Sequence, residues 1–254
     1  IIVKPAEQTS LTALRVAELA YEAGIPRGVL QVLPGDGPSV GEPLGRHMDV
    51  DMVSFTGSTE TGRRFLQYAA DSNLKKVVLE CGGKNPALVF DDAENLDHVA
   101  EHVVNGAFWN AGQNCSATSR LIVHSAVKAT LLDKINAKIR EWKVGDPLDP
   151  TNHIGALIDK DHCAKVRSYL DDKGDGPFIS PTVFEVEADD QRARDEIFGP
   201  VLCVITVASN DEAVHVANDT DYGLTASLFS AGSRSAIRAA RDIRAGTVTV
   251  NCYG

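Results

Sequence analysis

Val77-Val78-Leu79-Glu80-Cys81-Gly82-Gly83-Lys84-Asn85-Pro86-Ala87-Leu88-Val89-Phe90 sets the organisation of this chain. An apolar run ends on a carboxylate, crosses two glycines and resumes as a second apolar run. Short apolar runs bounded by turn residues read as buried strands, and the glycine pair reads as a hinge between two lobes. Toward the amino end the chain alternates strand and helix. Residues 1–3 are a short strand. A helix capped at Thr9 or Ser10 runs through Ala23 and stops at Gly24 and Pro26. Residues 29–33 are a strand and 34–37 a turn. Residues 52–55 are a strand, Gly57 is a sharp turn, and Ser58 caps a helix to about Ala70.

Toward the carboxyl end the rhythm continues. Strand 87–90 leads to a helix over 96–110 that ends at Gly112, then to strand 120–123 and helix 126–142. Residues 145–150 are a loop, 182–184 and 201–205 strands, 211–219 and 233–243 helices, and 247–254 a strand that stops. This predicts an α/β fold of two lobes, residues 1–82 and 83–254, each an open parallel-type sheet with helices on both faces.

Composition excludes several function classes. The 254 residues are 43% hydrophobic and 24% charged, ordinary for a globular protein large enough for two cores. The net charge is −10 with no Lys/Arg run, so no nucleic-acid partner is expected. No apolar run approaches the ~20 residues of a membrane span, and the first residues show no signal-peptide pattern. The five cysteines, Cys81, Cys115, Cys163, Cys203 and Cys252, are scattered and odd in number. They suggest neither a disulfide framework nor a zinc site, and a cytoplasmic, reducing setting is expected. No metal site is expected among the seven histidines. Both termini fall inside strands, which predicts a piece of a longer polypeptide.

A few residues carry chemistry. Cys115, in Gly112-Gln113-Asn114-Cys115-Ser116-Ala117, is either an inert small hydrophobe or a nucleophile. Its small, polar neighbours leave room for a substrate, and backbone N–H groups near it could donate to an oxyanion. Glu80 is either a solvated carboxylate or a general base at the carboxyl end of a strand, where open α/β sheets place ligands. Partial burial there would raise its pKa. Phe55-Thr56-Gly57-Ser58-Thr59-Glu60-Thr61-Gly62 is either an ordinary strand–helix turn or one that aims N–H groups at an anion. Lys4 and Glu7 belong to a solvated loop or hold ribose hydroxyls. Trp109, on an apolar helix, reads as core.

These segments, in this order, resemble those of the NAD(P)-dependent aldehyde dehydrogenase superfamily. Glu196-Ile197-Phe198-Gly199-Pro200, Ala217-Asn218-Asp219 with Tyr222-Gly223-Leu224, and Ala245-Gly246-Thr247-Val248 with Val250-Asn251 continue the likeness over essentially the whole chain. The resemblance implies that Cys115 is the nucleophile and Glu80 the general base. It implies NAD, with NADP possible, as cofactor. Lys4 and Glu7 match ligands of the adenosine ribose, and Gly57 and Ser58 match the pyrophosphate turn. Glu196 and Phe198 match nicotinamide-ribose contacts. Gly37, Thr59, Gly62 and Gly82 complete the implied cofactor set, and Trp109, Asn114 and Ser116 line the implied aldehyde tunnel. The implied chemistry is a thiohemiacetal on Cys115, hydride transfer, and hydrolysis of the resulting thioester.

The segments around Glu80 and Ala117-Thr118-Ser119-Arg120 look most like bacterial enzymes acting on ω-amino aldehydes from polyamine breakdown, of the γ-glutamyl-γ-aminobutyraldehyde dehydrogenase type. Such enzymes are about twice as long and form homodimers or homotetramers. Their Pro-Trp-Asn and Pro-Phe-Gly-Gly segments and oligomerisation strand have no counterpart here, and the stretch between Leu170 and Pro181 is shorter by about a strand pair. Two other readings compete. One is a thiol hydrolase using Cys115 without a nucleotide, which needs a histidine; His98 and His102 are placed well away by helical rise. The other is an inactive fragment.

Overall fold

The computed structural model describes residues 1–253; Gly254, at the end of the terminal segment, lies outside the described residues. The chain divides into two compact units, Ile1–Cys81 and Gly82–Gly254, so Gly82 falls with the second.

The first unit runs β1 (Ile2–Val3), α1 (Ser10–Glu22), β2 (Gln31–Val32), a π-turn over Gly37–Gly41, α2 (Glu42–Arg46), β3 (Met52–Thr56), α3 (Thr59–Ala70) and β4 (Lys76–Glu80). β1 pairs with β2 and β3 with β4, both parallel, with Thr56 opposite Glu80. Ser58 caps α3 by accepting from the Thr61 N–H at 3.2 Å, which satisfies one orphan donor of the first turn. Gly62 and Ala69, two turns apart on α3, share its buried face. That face passes so close to the end of β4 that a Cβ on Gly62 would lie 2.9 Å from Cys81 Sγ. The buried interior is small. Ala69 is the one buried apolar side chain of this unit among the described residues, while Leu11, Met48 and Leu74 are exposed.

The second unit holds the core. It runs β5 (Asn85–Val89), α4 (Leu96–Phe108), β6 (Thr118–His124), α5 (Ser125–Ile139), α6 (Lys160–Leu170), β7 (Thr182–Glu185), α7 (Gln191–Arg194), β8 (Val201–Val207), α8 (Asn210–Asn218), β9 (Thr225–Phe229), α9 (Ser233–Asp242) and β10 (Thr247–Val250). Six strands form one parallel sheet in the order β10-β9-β5-β6-β8-β7. β5, β6 and β8 are buried along nearly their whole length, as strands covered on both faces are, with apolar runs at Ala87–Val89, Leu121–Val123 and Val201–Ile205. α4 and α5 pack together as one layer and α8 and α9 as another. Leu88, Leu121, Ile122, Leu131, Ile135 and Leu202 are fully buried. Each contributes about 1.5–3 kcal/mol of hydrophobic stabilisation.

α6 and β9 are absent from the sequence reading. α6 is a charged segment whose apolar positions are sparse, and β9 carries Ala and Ser within a five-residue run. α4 is also shorter than its apolar periodicity predicts. It ends at Phe108, because Asn110 and Ala111 take left-handed backbone at φ 52° and 57°. Each such non-glycine residue costs about 1–2 kcal/mol, which the packing of the surrounding core offsets.

Candidate active site

The break after α4 creates the site in the second unit. Asn110, Ala111 and Gly112 (φ 68°) turn the chain in succession. A Cβ on Gly112 would lie 2.2 Å from Gly199 O, so only glycine permits this approach to the segment before β8. Trp109, read from the sequence as core, is 61% exposed. It lies one turn past exposed Asn105, off the buried stripe of Val104, Ala107 and Phe108, and its own backbone has left the helix at ψ 138°.

Cys115 follows in a turn over 114–117 closed by the Ala117 N–H donating to Asn114 O at 3.0 Å. Asn114 Oδ1 accepts from the Ser116 N–H at 3.3 Å and faces Cys115 Sγ at 3.8 Å. Asn85 Nδ2 donates to Cys115 O at 2.7 Å and to Ala117 O at 3.0 Å. The Cys115 N–H has no acceptor among the described residues. Of the backbone donors that the sequence suggests for an oxyanion, this is the one left unused within residues 115–117. The thiol itself is half-buried.

Glu196 lies over the glycine pair. Its Oε1 accepts from the Gly83 N–H at 3.0 Å, and a Cβ on Gly82 would lie 2.1 Å from its Oε2. Lys165 Nζ holds Glu196 O at 3.0 Å. Phe198 takes φ 60° and its carbonyl accepts from His162 Nε2 at 2.6 Å. Gly83, Gly112, Asn114, Glu196 and Phe198 thus line one cleft of about 10 Å³. Below it, Lys84 donates to Arg192 O at 2.6 Å, and Arg120 donates to Lys84 O, Val216 O and Ala217 O. Burial pushes the Lys84 ammonium down to about 8 and the Arg120 guanidinium to about 10. These two buried cations pin the loop that carries Gly82 and Gly83.

His98 and His102 face elsewhere. His102 Nδ1 accepts from the Tyr253 N–H at 3.0 Å, and His98 Nε2 donates to Asn251 O at 3.1 Å. Burial, then the neighbouring His98, lowers the His102 pKa. Asn114 Nδ2 in turn donates to Tyr253 Oη at 3.3 Å. A thiol hydrolase needs an imidazole at the thiol, and these two are engaged by the segment after β10.

In the first unit, Lys4 and Glu7 form an ion pair at 3.4 Å, and Lys4 Nζ also donates to Pro5 O and Gly35 O. Asp36 lies near Lys4 as well; it accepts from the Ser39 N–H and caps the turn that opens at Gly37. Glu7 is held below its ordinary range first by its own backbone N–H and then by Lys4; Asp36 is held down chiefly by Ser39. Gly57, Ser58 and Thr59 form the β3–α3 turn, whose amide ladder reaches Glu80: the Gly57 N–H donates to Glu80 O at 3.0 Å. The Glu80 side chain is exposed, so the partial burial expected of it is not met. It ends β4 at the open end of a two-stranded sheet, where no layer covers it. Glu80 belongs to the first unit and Cys115 to the second.

Asn85, Asp36, Lys84 and Tyr253 escape sequence reading. Asp36 could have been found, since Pro34-Gly35-Asp36-Gly37 is a capping turn. The other three reveal themselves only by contacts distant in sequence.

Residues 1–254 match the Aldehyde dehydrogenase family. Aminoacetaldehyde dehydrogenase of Pseudomonas aeruginosa is 59% identical over 268 aligned positions, covering 100% of this chain and 54% of that protein. The crystal structure of γ-glutamyl-γ-aminobutyraldehyde dehydrogenase from Burkholderia cenocepacia is 45% identical with a TM-score of 0.96, over 99% of this chain and 54% of that one. An indole-3-acetaldehyde dehydrogenase structure complexed with NAD+ is 43% identical with a TM-score of 0.96, over 99% of this chain and 55% of that one. The chain therefore spans about half the length of the relatives it matches.

Proposed function

The chain belongs to the aldehyde dehydrogenase family, and from that membership we propose that it serves the NAD-dependent oxidation of an aldehyde, foremost an ω-amino aldehyde, to the carboxylic acid. The observation that carries this reading is the Cys115 turn: a half-buried thiol whose own N–H lacks an acceptor among the described residues. In this reading the Cys115 thiolate adds to the aldehyde carbonyl and its N–H receives the developing oxyanion. NAD, when bound, supplies the acceptor for the hydride that leaves the thiohemiacetal carbon. Glu80 takes a proton from the water that hydrolyses the thioester, releasing the acid and the thiol.

The first unit fits the adenosine end of such a cofactor. Lys4 and Glu7 stand together at the end of β1, and the N-terminus of α3 offers N–H groups behind Gly57 and Ser58. Two carboxylates, Glu7 and Asp36, lie near the one ammonium of Lys4, which disfavours a ribose 2′-phosphate and so favours NAD over NADP. Glu196 and Phe198 are the proposed nicotinamide-ribose contacts. Asn114, Ser116 and the exposed indole of Trp109 are the proposed substrate contacts; an indole face suits a substrate ammonium. The 59% identical relative named for aminoacetaldehyde supports that substrate class. The same reading carries a homodimer or homotetramer in the cytoplasm, in keeping with five cysteines that form no disulfide among the described residues.

The test is Cys115→Ala in the protein at its natural length. NADH formation from an amino aldehyde, followed at 340 nm, is expected to fall by at least ~10³-fold while NAD binding is retained. More than a few per cent of wild-type turnover in this variant removes Cys115 from the nucleophile role.

A further inference from the structure

We propose that Asn85 is the positioning residue of Cys115, holding the backbone on both sides of the turn so that the bond carrying the thiol has one direction. The role rests on the dehydrogenase reading above for its consequence, though not for its geometry. Asn85 is 4% exposed and every hydrogen-bonding group of its amide is used. The two Nδ2 hydrogens serve Cys115 O and Ala117 O, and Oδ1 accepts from the Thr225 N–H at 3.1 Å. A flipped amide would set its oxygen against two carbonyl oxygens, so only this orientation is satisfied. One side chain therefore ties the start of β5 to the nucleophile turn and to the start of β9.

The backbone logic follows from planar peptides. The peptide between Asn114 and Cys115 is fixed by its carbonyl accepting from the Ala117 N–H. The peptide between Cys115 and Ser116 is fixed by its carbonyl accepting from Asn85. With both flanking planes held, φ and ψ of Cys115 are set, and with them the Cα–Cβ direction and the free N–H. Asn85 acts where the sheet ladder fails. Asn85 pairs with Thr118 and Pro86 with Arg120, so the β5–β6 register slips past Ser119, and Pro86 has no N–H to give. The side chain of Asn85 supplies the donor that the ladder lacks. It also explains Gly83, because a Cβ there would lie 2.6 Å from Asn85 Oδ1 and 2.7 Å from Cys115 O.

The decisive variant is Asn85→Asp, which keeps the acceptor for Thr225 and loses the donor; Asn85→Ala is measured beside it in case the buried carboxylate prevents folding. Amide hydrogen exchange is read at residues 116–118 against 121–123, together with kcat, KM, NAD affinity and the titre of active sites. Exchange in the turn is expected to quicken at least tenfold with residues 121–123 unchanged. The rate per titrated site is expected to fall by roughly 10–10²-fold, the usual consequence of a misplaced reacting group, with KM for the aldehyde and NAD affinity within threefold. Unchanged exchange in the turn, or kcat within threefold of wild type in the variants that fold, overturns the proposal. So does a lower titre with normal turnover per site, which marks a purely structural residue. If the unmodified protein forms no NADH, the dehydrogenase reading falls, and the exchange measurement still decides for or against Asn85.

Discussion

The two units hold their candidate residues by different means. In the first, Lys4 meets Glu7, Asp36 meets Ser39 and Ser58 meets Thr61, each three residues along the chain; Lys4 to Gly35 and Gly57 to Glu80 are the longer exceptions. In the second, Asn85 reaches 30 residues to Cys115 and 140 to Thr225, Gly83 reaches 113 to Glu196, and Asn114 reaches 139 to Tyr253. Burial follows the same division. The extended apolar cluster lies from Ala87 onward, whereas Leu11, Met48 and Leu74 of the first unit are exposed. A site made of short-range caps and turns tolerates change nearby. A site made of long-range contacts inherits the rigidity of the core and the cost of disturbing it.

Glu80→Gln is the strongest challenge to that contrast, because it places the largest effect in the loosely packed unit. Steady-state turnover is expected to fall ~10²–10⁴-fold, the usual loss of a general base. If Cys115 ionises without Glu80, a single-turnover NADH burst and an acyl adduct on Cys115, seen by mass spectrometry, accompany the loss. Turnover within about threefold of wild type removes Glu80 from the role.

A pair of glycine variants sharpens it. At Gly83 an added methyl meets Asn85 and the Cys115 carbonyl; at Gly57 it meets the end of the half-buried Phe55 ring, 2.5 Å from Cζ. Gly83→Ala is expected to cost roughly 1–3 kcal/mol in denaturant unfolding, and Gly57→Ala less than about 1 kcal/mol, since the free end of a half-buried ring can give way more readily than a buried amide and a backbone carbonyl. Equal losses would show that the first unit is as tightly packed as the second.

Lys84 probes the buried cations of the second unit by pH. Its folded value of about 8 lies below the ordinary 10.5. The folded protein thus sheds this proton between about pH 8 and 10.5 while the unfolded chain still holds it. The burial penalty is fully present below pH 8, and stability rises with pH through that window. Compared with Lys84→Met, wild type is expected to gain roughly 1 kcal/mol between pH 7 and 9 in urea unfolding. Parallel curves for the two proteins would mean that the ammonium is hydrated.

The smallest expected effect is at the exposed Lys4–Glu7 pair. Glu7→Gln is expected to narrow the preference of kcat/KM for NAD over NADP by roughly two- to fivefold, as for an exposed charge. An unmodified protein that uses NADP as well as NAD would show that Lys4 outweighs the two carboxylates.

Much of this was legible in the residues. Alternating apolar runs and caps announce the α/β elements, because caps, turns and strand propensity act within a few positions. The Glu80 and Cys115 segments stand out for the same reason: a carboxylate ending a strand and a thiol in a small-residue turn are local patterns. The end of α4 was not legible, since its apolar spacing continues toward Trp109 and only packing against Gly199 selects the left-handed exit. Nor was α6, whose charged composition hides its short apolar face.

The amino-acid sequence by itself determined the family, the parallel strand–helix order and the candidate nucleophile and base, each written in neighbouring residues. The tertiary structure alone decided which N–H stays free at Cys115, that Trp109 faces outward, that Glu80 is exposed and that Asn85 replaces a missing rung of the sheet. The place of Asn85 depends on groups 30 to 140 residues apart meeting in a buried place, where a polar atom must find its partner or forfeit the hydration it has lost.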